Sequence, residues 1–165
     1  MDVTIWRELK SLGIKLAVII GSALLIFTFV YGLHRSADPG MNPSVKDGDL
    51  VVFSRLNKKY NAGDLVVLPM QGKNQVRRVI ATAGDTVDIV EDGLVINGAL
   101  QQERNIYQQT QRYESGISFP LTLREGQVFV LGDARENVAD SRIYGPVNTK
   151  ETRGVVIANL RRRNL

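Results

Sequence analysis

The chain has 165 residues, of which 44% are hydrophobic and 23% charged, with a net charge of +4. That balance belongs to a folded domain and not to a disordered tail. There is no cysteine and one histidine, His34, far in sequence from Asp140 and Ser141, which excludes disulfides, thiolate metal sites, cysteine nucleophiles, histidine metal sites and a Ser-His-Asp triad.

Residues 1–15 are mixed and polar, with Arg7, Lys10 and Lys15 among them. Leu16 to Leu33 then runs for 18 residues without a charge, LAVIIGSALLIFTFVYGL. At about 1.5 Å per helical residue this length crosses a bilayer core. Lys15 can snorkel to one interface, and Tyr31 sits where interfacial aromatics gather. A cleaved secretory signal is the competing reading, but the run is long for one and no A-x-A site follows it. The basic residues before the run predict a cytoplasmic tail (1–15), one transmembrane helix (16–33) and an extracytoplasmic domain (34–165), in a cell membrane. About 130 residues then remain, enough for one domain with its own core.

The domain reads as all-β. Leu50 to Phe53 and Leu65 to Leu68 are apolar runs that follow Gly48-Asp49 and Gly63-Asp64. Val76 to Ala81 mixes arginine with β-branched residues. Val87 to Val90 and Leu94 to Ile96 flank Glu91-Asp92-Gly93, a hairpin signal. Gln127 to Leu131 and Val155 to Leu160 complete the pattern. Gln101 to Arg124 is polar and reads as a long excursion with one or two weak strands. Many short antiparallel strands predict a partly barrel-like fold. The terminal Arg161, Arg162 and Arg163 form a solvated basic tail or a contact for anionic lipid or cell-wall polymer. No metal, cofactor or nucleic-acid motif is visible, so none of these is expected as a partner.

Three stretches carry chemistry. The first is DPGMNPSVKDGD, Asp38 to Asp49; the second QVRRVIATAGDT, Gln75 to Thr86; the third GDARENVADSRIYGPV, Gly132 to Val147. In this order they resemble the signature segments of type I signal peptidases. Met41, Pro43, Ser44, Val45, Gly48 and Asp49 match the first family segment, and Arg78, Val79, Ile80, Gly84 and Asp85 the second. Gly132, Asp133, Asn137, Asp140, Ser141, Arg142, Gly145 and Val147 match the third. The resemblance runs from Pro39 to Leu160 and implies the family's β fold. It also implies a groove that binds an extended peptide, here Gly40, Met41, Pro43, Arg77 and Val138, and a structural ion pair between Asp140 and Arg142.

The family cleaves preproteins with a serine activated by a lysine. A lysine serves as base because burial lowers its pKa until a neutral amine exists near neutral pH. The resemblance places Gly40 at the nucleophile, Arg77 at the base and Val138 at the serine that supports the base. Glycine has no hydroxyl, and a guanidinium keeps its proton. The expectation is therefore a degenerate member without catalytic residues, in which Arg77 pairs with Asp140 or with a carboxylate on a partner. Gly40 either serves the turn alone or leaves room in the groove. Rewired catalysis would have to draw on Ser36, Ser44 or Ser141 with Lys46 or Lys73. Degenerate members of this kind resemble the accessory proteins of sortase-built pili in Gram-positive bacteria. The implied role is assembly factor or chaperone for a pilin or other exported preprotein, with a sortase nearby. The alternatives are an active signal peptidase and a scaffold that docks through its helix.

Overall fold

The computed structural model describes residues 3–70, 72–104 and 106–161, with residues 3 and 4 described by backbone alone; Arg162 and Arg163 of the basic tail lie outside the described residues. The chain opens with helix α1, Val3–Phe29. An 18-residue window within Ile5–Phe29 has a mean hydropathy of 2.2 and buries nothing against the rest of the protein. By length and composition such a helix can cross a membrane. Its two hydroxyls are satisfied within the helix, Ser22 Oγ donating to Val18 O at 2.8 Å and Thr28 Oγ1 to Leu24 O at 2.7 Å.

Both ends differ from the expected 16–33. The helix begins within the polar tail, where Arg7, Glu8, Leu9 and Lys10 are good helix formers. It ends before Tyr31, because Tyr31–Arg35 is strand β1, paired antiparallel with β2, Leu50–Ser54. Backbone groups that a helix would satisfy internally are taken by the sheet instead.

The expected runs form strands with small extensions. They are β3, Leu65–Met70; β4, Lys73–Ala81; β5, Thr86–Val90; and β6, Gly93–Ile96. Ala99–Leu100 and Leu121–Thr122 are short strands β7 and β8, and β9 is Gln127–Leu131. A one-turn helix α2, Ser141–Tyr144, precedes β10, Val147–Asn148, and β11, Gly154–Leu160. Neighbouring strands pair antiparallel, in a seven-stranded sheet of order β1-β2-β11-β3-β4-β9-β10 and a four-stranded sheet of order β7-β6-β5-β8. The long excursion contributes only Leu121–Thr122 to a sheet.

One turn design sets the entry to three strands. Asp49, Asp64 and Asp85 each accept, through a carboxylate oxygen, the N–H of the residue three before, at 3.0, 2.9 and 2.9 Å. Each also donates its own N–H back to that residue's carbonyl. The glycine before each aspartate takes a positive φ, from 85° to 97°, where a side chain would be strained. Burial then fixes the register. In β3, Val66 and Leu68 join a cluster with Val79, Val128 and Val130, while Val67 points the other way into a cluster with Met41, Val45, Phe53 and Val76. A run buried on both faces reads as continuous apolar sequence, which is why this central strand was visible as LVVL.

Candidate active site

The segment between β1 and β2 makes a single turn of 3-10 helix, Pro39–Met41, capped by Asp38. One oxygen of Asp38 accepts from Gly40 N at 2.8 Å. The other accepts from Arg77 Nη1 at 2.6 Å. Arg77 projects from the middle of β4 with only 2% of its side chain exposed. Its Nε donates to Ala139 O at 3.0 Å, and Nη1 also reaches Val76 O at 2.6 Å. Arg77 is thus held in an internal ion pair, with Asp38 and not with Asp140. Asp140 has no room for it. It caps α2, and its two oxygens accept from Arg142 N, Nε and Nη2 and from Gly132 N. Four donors fill a carboxylate.

The positions singled out in sequence, Gly40, Arg77 and Val138, meet in one cluster. A Cβ on Gly40 would stand 2.9 Å from Val138 Cγ1, 3.0 Å from Asp38 Oδ1 and 3.2 Å from Arg77 Nη1. The space that a hydroxymethyl group needs is filled. Gly132 closes the cluster from below, since a Cβ there would meet Gly40 O at 2.5 Å and Val138 Cγ1 at 2.6 Å. The Gly40 N–H is the donor best placed to stabilise an oxyanion at this turn, and the Asp38 carboxylate already holds it.

Other hydroxyls are committed elsewhere. Ser141 is fully buried and its Oγ accepts from Val130 N at 3.0 Å. Ser44 Oγ accepts from Arg78 Nη2 at 3.1 Å, and Ser36 Oγ faces Asp38 O at 3.4 Å. Among the described residues neither the Lys46 nor the Lys73 ammonium bonds to a serine. The lysine whose pKa falls is Lys58, through burial first and then Arg153 and Arg55. It meets Thr152 Oγ1 at 3.4 Å, but that hydroxyl donates to Thr149 O and contacts Tyr60. The arrangement ties the connection between β2 and β3 to the segment before β11 and holds no free nucleophile. No group of three or more His, Cys, Asp or Glu converges among the described residues.

The expected groove residues separate. Met41 is 1% exposed and packs with Val45, Val51 and Phe53 in the core, so its side chain does not line an open groove. Pro43 is exposed beside Asn42, Tyr107 and Ala134. Toward its start β4 lacks β9 as a partner, although Val76 and Arg77 themselves are buried. Strand β9 pairs with β4 only at Arg78–Ala81, which leaves Lys73 to Val76 with β3 on one side alone. Val79 N donates toward β3, to Asp64 O. By alternation Arg77 and Gln75 also face β3, and the backbone groups of Val76 and Asn74 face outward.

Two supporting features escaped the sequence reading: the partner of Arg78, and Tyr113. Arg78 forms a two-pronged pair with Asp133 at 2.7 and 2.6 Å. It lies on the opposite face of β4 from Arg77, in a recess of about 320 Å³ with Ser44, Glu103 and Arg135. Tyr113 stacks on Arg142 at 4.5 Å, and its hydroxyl accepts from Val138 N at 3.1 Å. Tyr113 sits in the polar excursion, where no periodicity marked it.

Residues 9–160 match the family model described as signal peptidase, peptidase S26. The signal peptidase I of Bacillus licheniformis is 33% identical over 141 residues, covering 79% of this chain and 75% of the relative. A probable signal peptidase I-1 of Synechocystis is 31% identical over 154 residues, covering 85% of this chain and 76% of the relative. The crystal structure of a signal peptidase I from Enterococcus faecalis V583 aligns with a TM-score of 0.50 at 29% identity, over 60% of this chain and 97% of that one. The β fold, the three signature segments and these matches agree: the chain belongs to the signal peptidase family, peptidase S26.

Proposed function

We propose that this chain is a membrane-anchored signal peptidase relative that does not cleave, and that it holds an extended segment of an exported protein during assembly at the cell surface. The observation that carries this reading is the filled site. Gly40 has no room for a side chain, its N–H is bonded to Asp38, and the neighbouring cation is an arginine that cannot act as base. The Lys73–Gln75 part of β4, which β9 leaves unpaired, supports the holding role, since an extended chain adds to an unpaired strand edge through backbone hydrogen bonds. The basic residues before the apolar helix support a cytoplasmic N-terminus and an extracytoplasmic domain. Resemblance to the accessory proteins of sortase-built pili supports a pilin as the held chain, with a sortase as neighbour.

A second reading, an active signal peptidase, is favoured by the names of relatives such as the signal peptidase I of Bacillus licheniformis at 33% identity. Both readings meet in one assay. The full-length protein and its Gly40→Ser, Arg77→Lys, Val138→Ser triple variant are placed in liposomes with a preprotein. Photo-crosslinking from position 74 to a co-reconstituted pilin is followed in parallel. The expected result is no cleavage by the unmodified chain, with a crosslink to the pilin. Specific cleavage by the unmodified chain would establish the second reading instead.

A further inference from the structure

Strand direction fixes which turns share an end of the seven-stranded sheet. Strand β1 runs away from α1, β2 returns toward it, β11 runs away again, β3 returns and β4 runs away. The end beside α1 therefore carries residues 55–60 after β2, the turn between β3 and β4, and residues 149–153 before β11. Hydrogen bonds hold this end at the helix exit. Arg55 N donates to Val30 O at 2.8 Å, one residue past α1, and Arg55 Nε donates to Tyr31 O at 2.9 Å. Lys58 Nζ donates to Thr152 O, so the segment after β2 lies against the segment before β11.

Charge gathers here with one sign. These segments hold six cations, Arg55, Lys58, Lys59, Lys73, Lys150 and Arg153, against the single carboxylate of Glu151. None of the six forms an ion pair among the described residues, whereas Arg77, Arg78, Arg112, Arg135 and Arg142 each have a carboxylate. Lys58 is half-buried and the other five are exposed. Burial, then the Arg153 and Arg55 charges, lower the Lys58 pKa, as like charges held close without a counter-ion do. Between Arg55 and the lysines stands Leu56, 70% exposed. Arg161 of the basic tail begins at the opposite end of the sheet, since Leu160 pairs with Leu50 and Leu50 with Arg35.

Uncompensated cations repel one another until an outside anion neutralises them. The anion that α1 brings within reach is the phosphate of a lipid, which guanidinium and ammonium groups both bind. We propose that this end of the sheet docks on anionic phospholipid headgroups of the leaflet from which α1 emerges, with Arg55, Lys59 and Arg153 on the phosphates and Leu56 in the interface. The proposal rests on the membrane-spanning reading of α1 and goes beyond it. The domain does not hang free from its helix but is laid against the lipid in one orientation.

The chain has no cysteine, so Leu56→Cys takes one apolar, environment-sensitive dye in the place of the leucine. The labelled full-length protein is placed in lipid nanodiscs of phosphatidylcholine, alone or with about one third phosphatidylglycerol, and quenching by neutral acrylamide is read. Phosphatidylglycerol is expected to lower the quenching constant at least about threefold at low salt, and salt of about 1 M, with its screening length of about 3 Å, to restore it. The Arg55→Gln, Lys59→Gln, Arg153→Gln triple variant should lose this lipid dependence, and Arg161→Gln should keep it. Equal quenching in both lipids, or protection that survives in the triple variant, would overturn the headgroup docking, while co-elution of the protein with the discs leaves the anchor reading standing. Protein recovered only outside the discs would overturn both. Protection by soluble polyglutamate and none by phosphatidylglycerol would assign the patch to an acidic protein and overturn the lipid. Circular dichroism reports folding, and if the triple variant unfolds, the salt response of the chain with all its cations in place decides the question.

Discussion

The Arg142–Asp140 and Arg77–Asp38 pairs are both buried at the arginine, with 1% and 2% of the side chain exposed, but their carboxylates differ. Asp140 is fully buried and Asp38 is 28% exposed. Arg142 also donates to Arg135 O and Gln111 O and lies on the Tyr113 ring, so one guanidinium ties α2 to the polar excursion. Arg77 holds only the turn at Asp38, the Ala139 carbonyl and its own strand. The first pair is architecture, and residues at its positions match the family pattern. The second sits at the turn where Gly40, Arg77 and Val138 come together. A charge pair that ties two segments of the fold together is more deeply enclosed than one that closes a single turn.

Breaking the first pair should do the most damage. Asp140→Asn leaves Arg142 charged in the interior, and the expected loss is about 3–5 kcal/mol of unfolding free energy. Asp38→Asn, with its partly hydrated carboxylate, should lose about 1.5 kcal/mol. Urea midpoints of the two variants, in the same micelles, measure the gap. Equal losses would mean that the Asp38 pair is as structural as the other.

The cluster at Gly40 supplies the next largest effect. Gly40→Ala places a methyl 2.9 Å from Val138 Cγ1 and 3.0 Å from the Asp38 carboxylate, and the expected loss is about 1–3 kcal/mol. Val138→Ala opens the space that the methyl needs, so the double variant should be more stable than the sum of the single changes predicts by about 1 kcal/mol. Strict additivity in urea unfolding would show that the two positions do not compete for one volume.

Much of this contrast was legible before any coordinates. The strands followed from β-branched runs after Gly-Asp turns, and their starts held to within a few residues because those turns set them. Gly40, Arg77 and Val138 were singled out in sequence, and the structure brings the three into one cluster. What stayed hidden was direction. Nothing in the sequence says that Asp38 rather than Asp140 meets Arg77, since that depends on α2 consuming both Asp140 oxygens. Met41 went to the core because the 3-10 turn points it under β2, a rotation that a three-residue helix does not announce. The start of β1 was lost at the end of the apolar run, because Tyr31, Gly32 and Leu33 carry no charge to mark the break from the helix.

Tyr144 offers the finest test of whether the two charged clusters are separate. It is half-buried at the end of α2, its sealed hydroxyl has no hydrogen-bond partner among the described residues, and Arg77, Asp140 and Asp38 all act on it. Burial, more than these charges, raises its pKa above the ordinary 10.0. In the unfolded chain the phenol loses its proton first, so its contribution is fully present below pH 10 and is lost as pH rises toward the folded value. Tyr144→Phe removes that alkaline sensitivity. At neutral pH it should raise stability slightly, by up to about 1 kcal/mol, because an unpartnered buried hydroxyl is deleted. Thermal unfolding at pH 7 and above pH 10 reads both effects. A loss of more than about 1 kcal/mol at pH 7 would mean that the hydroxyl bridges the two pairs, and that scaffold and site are one network.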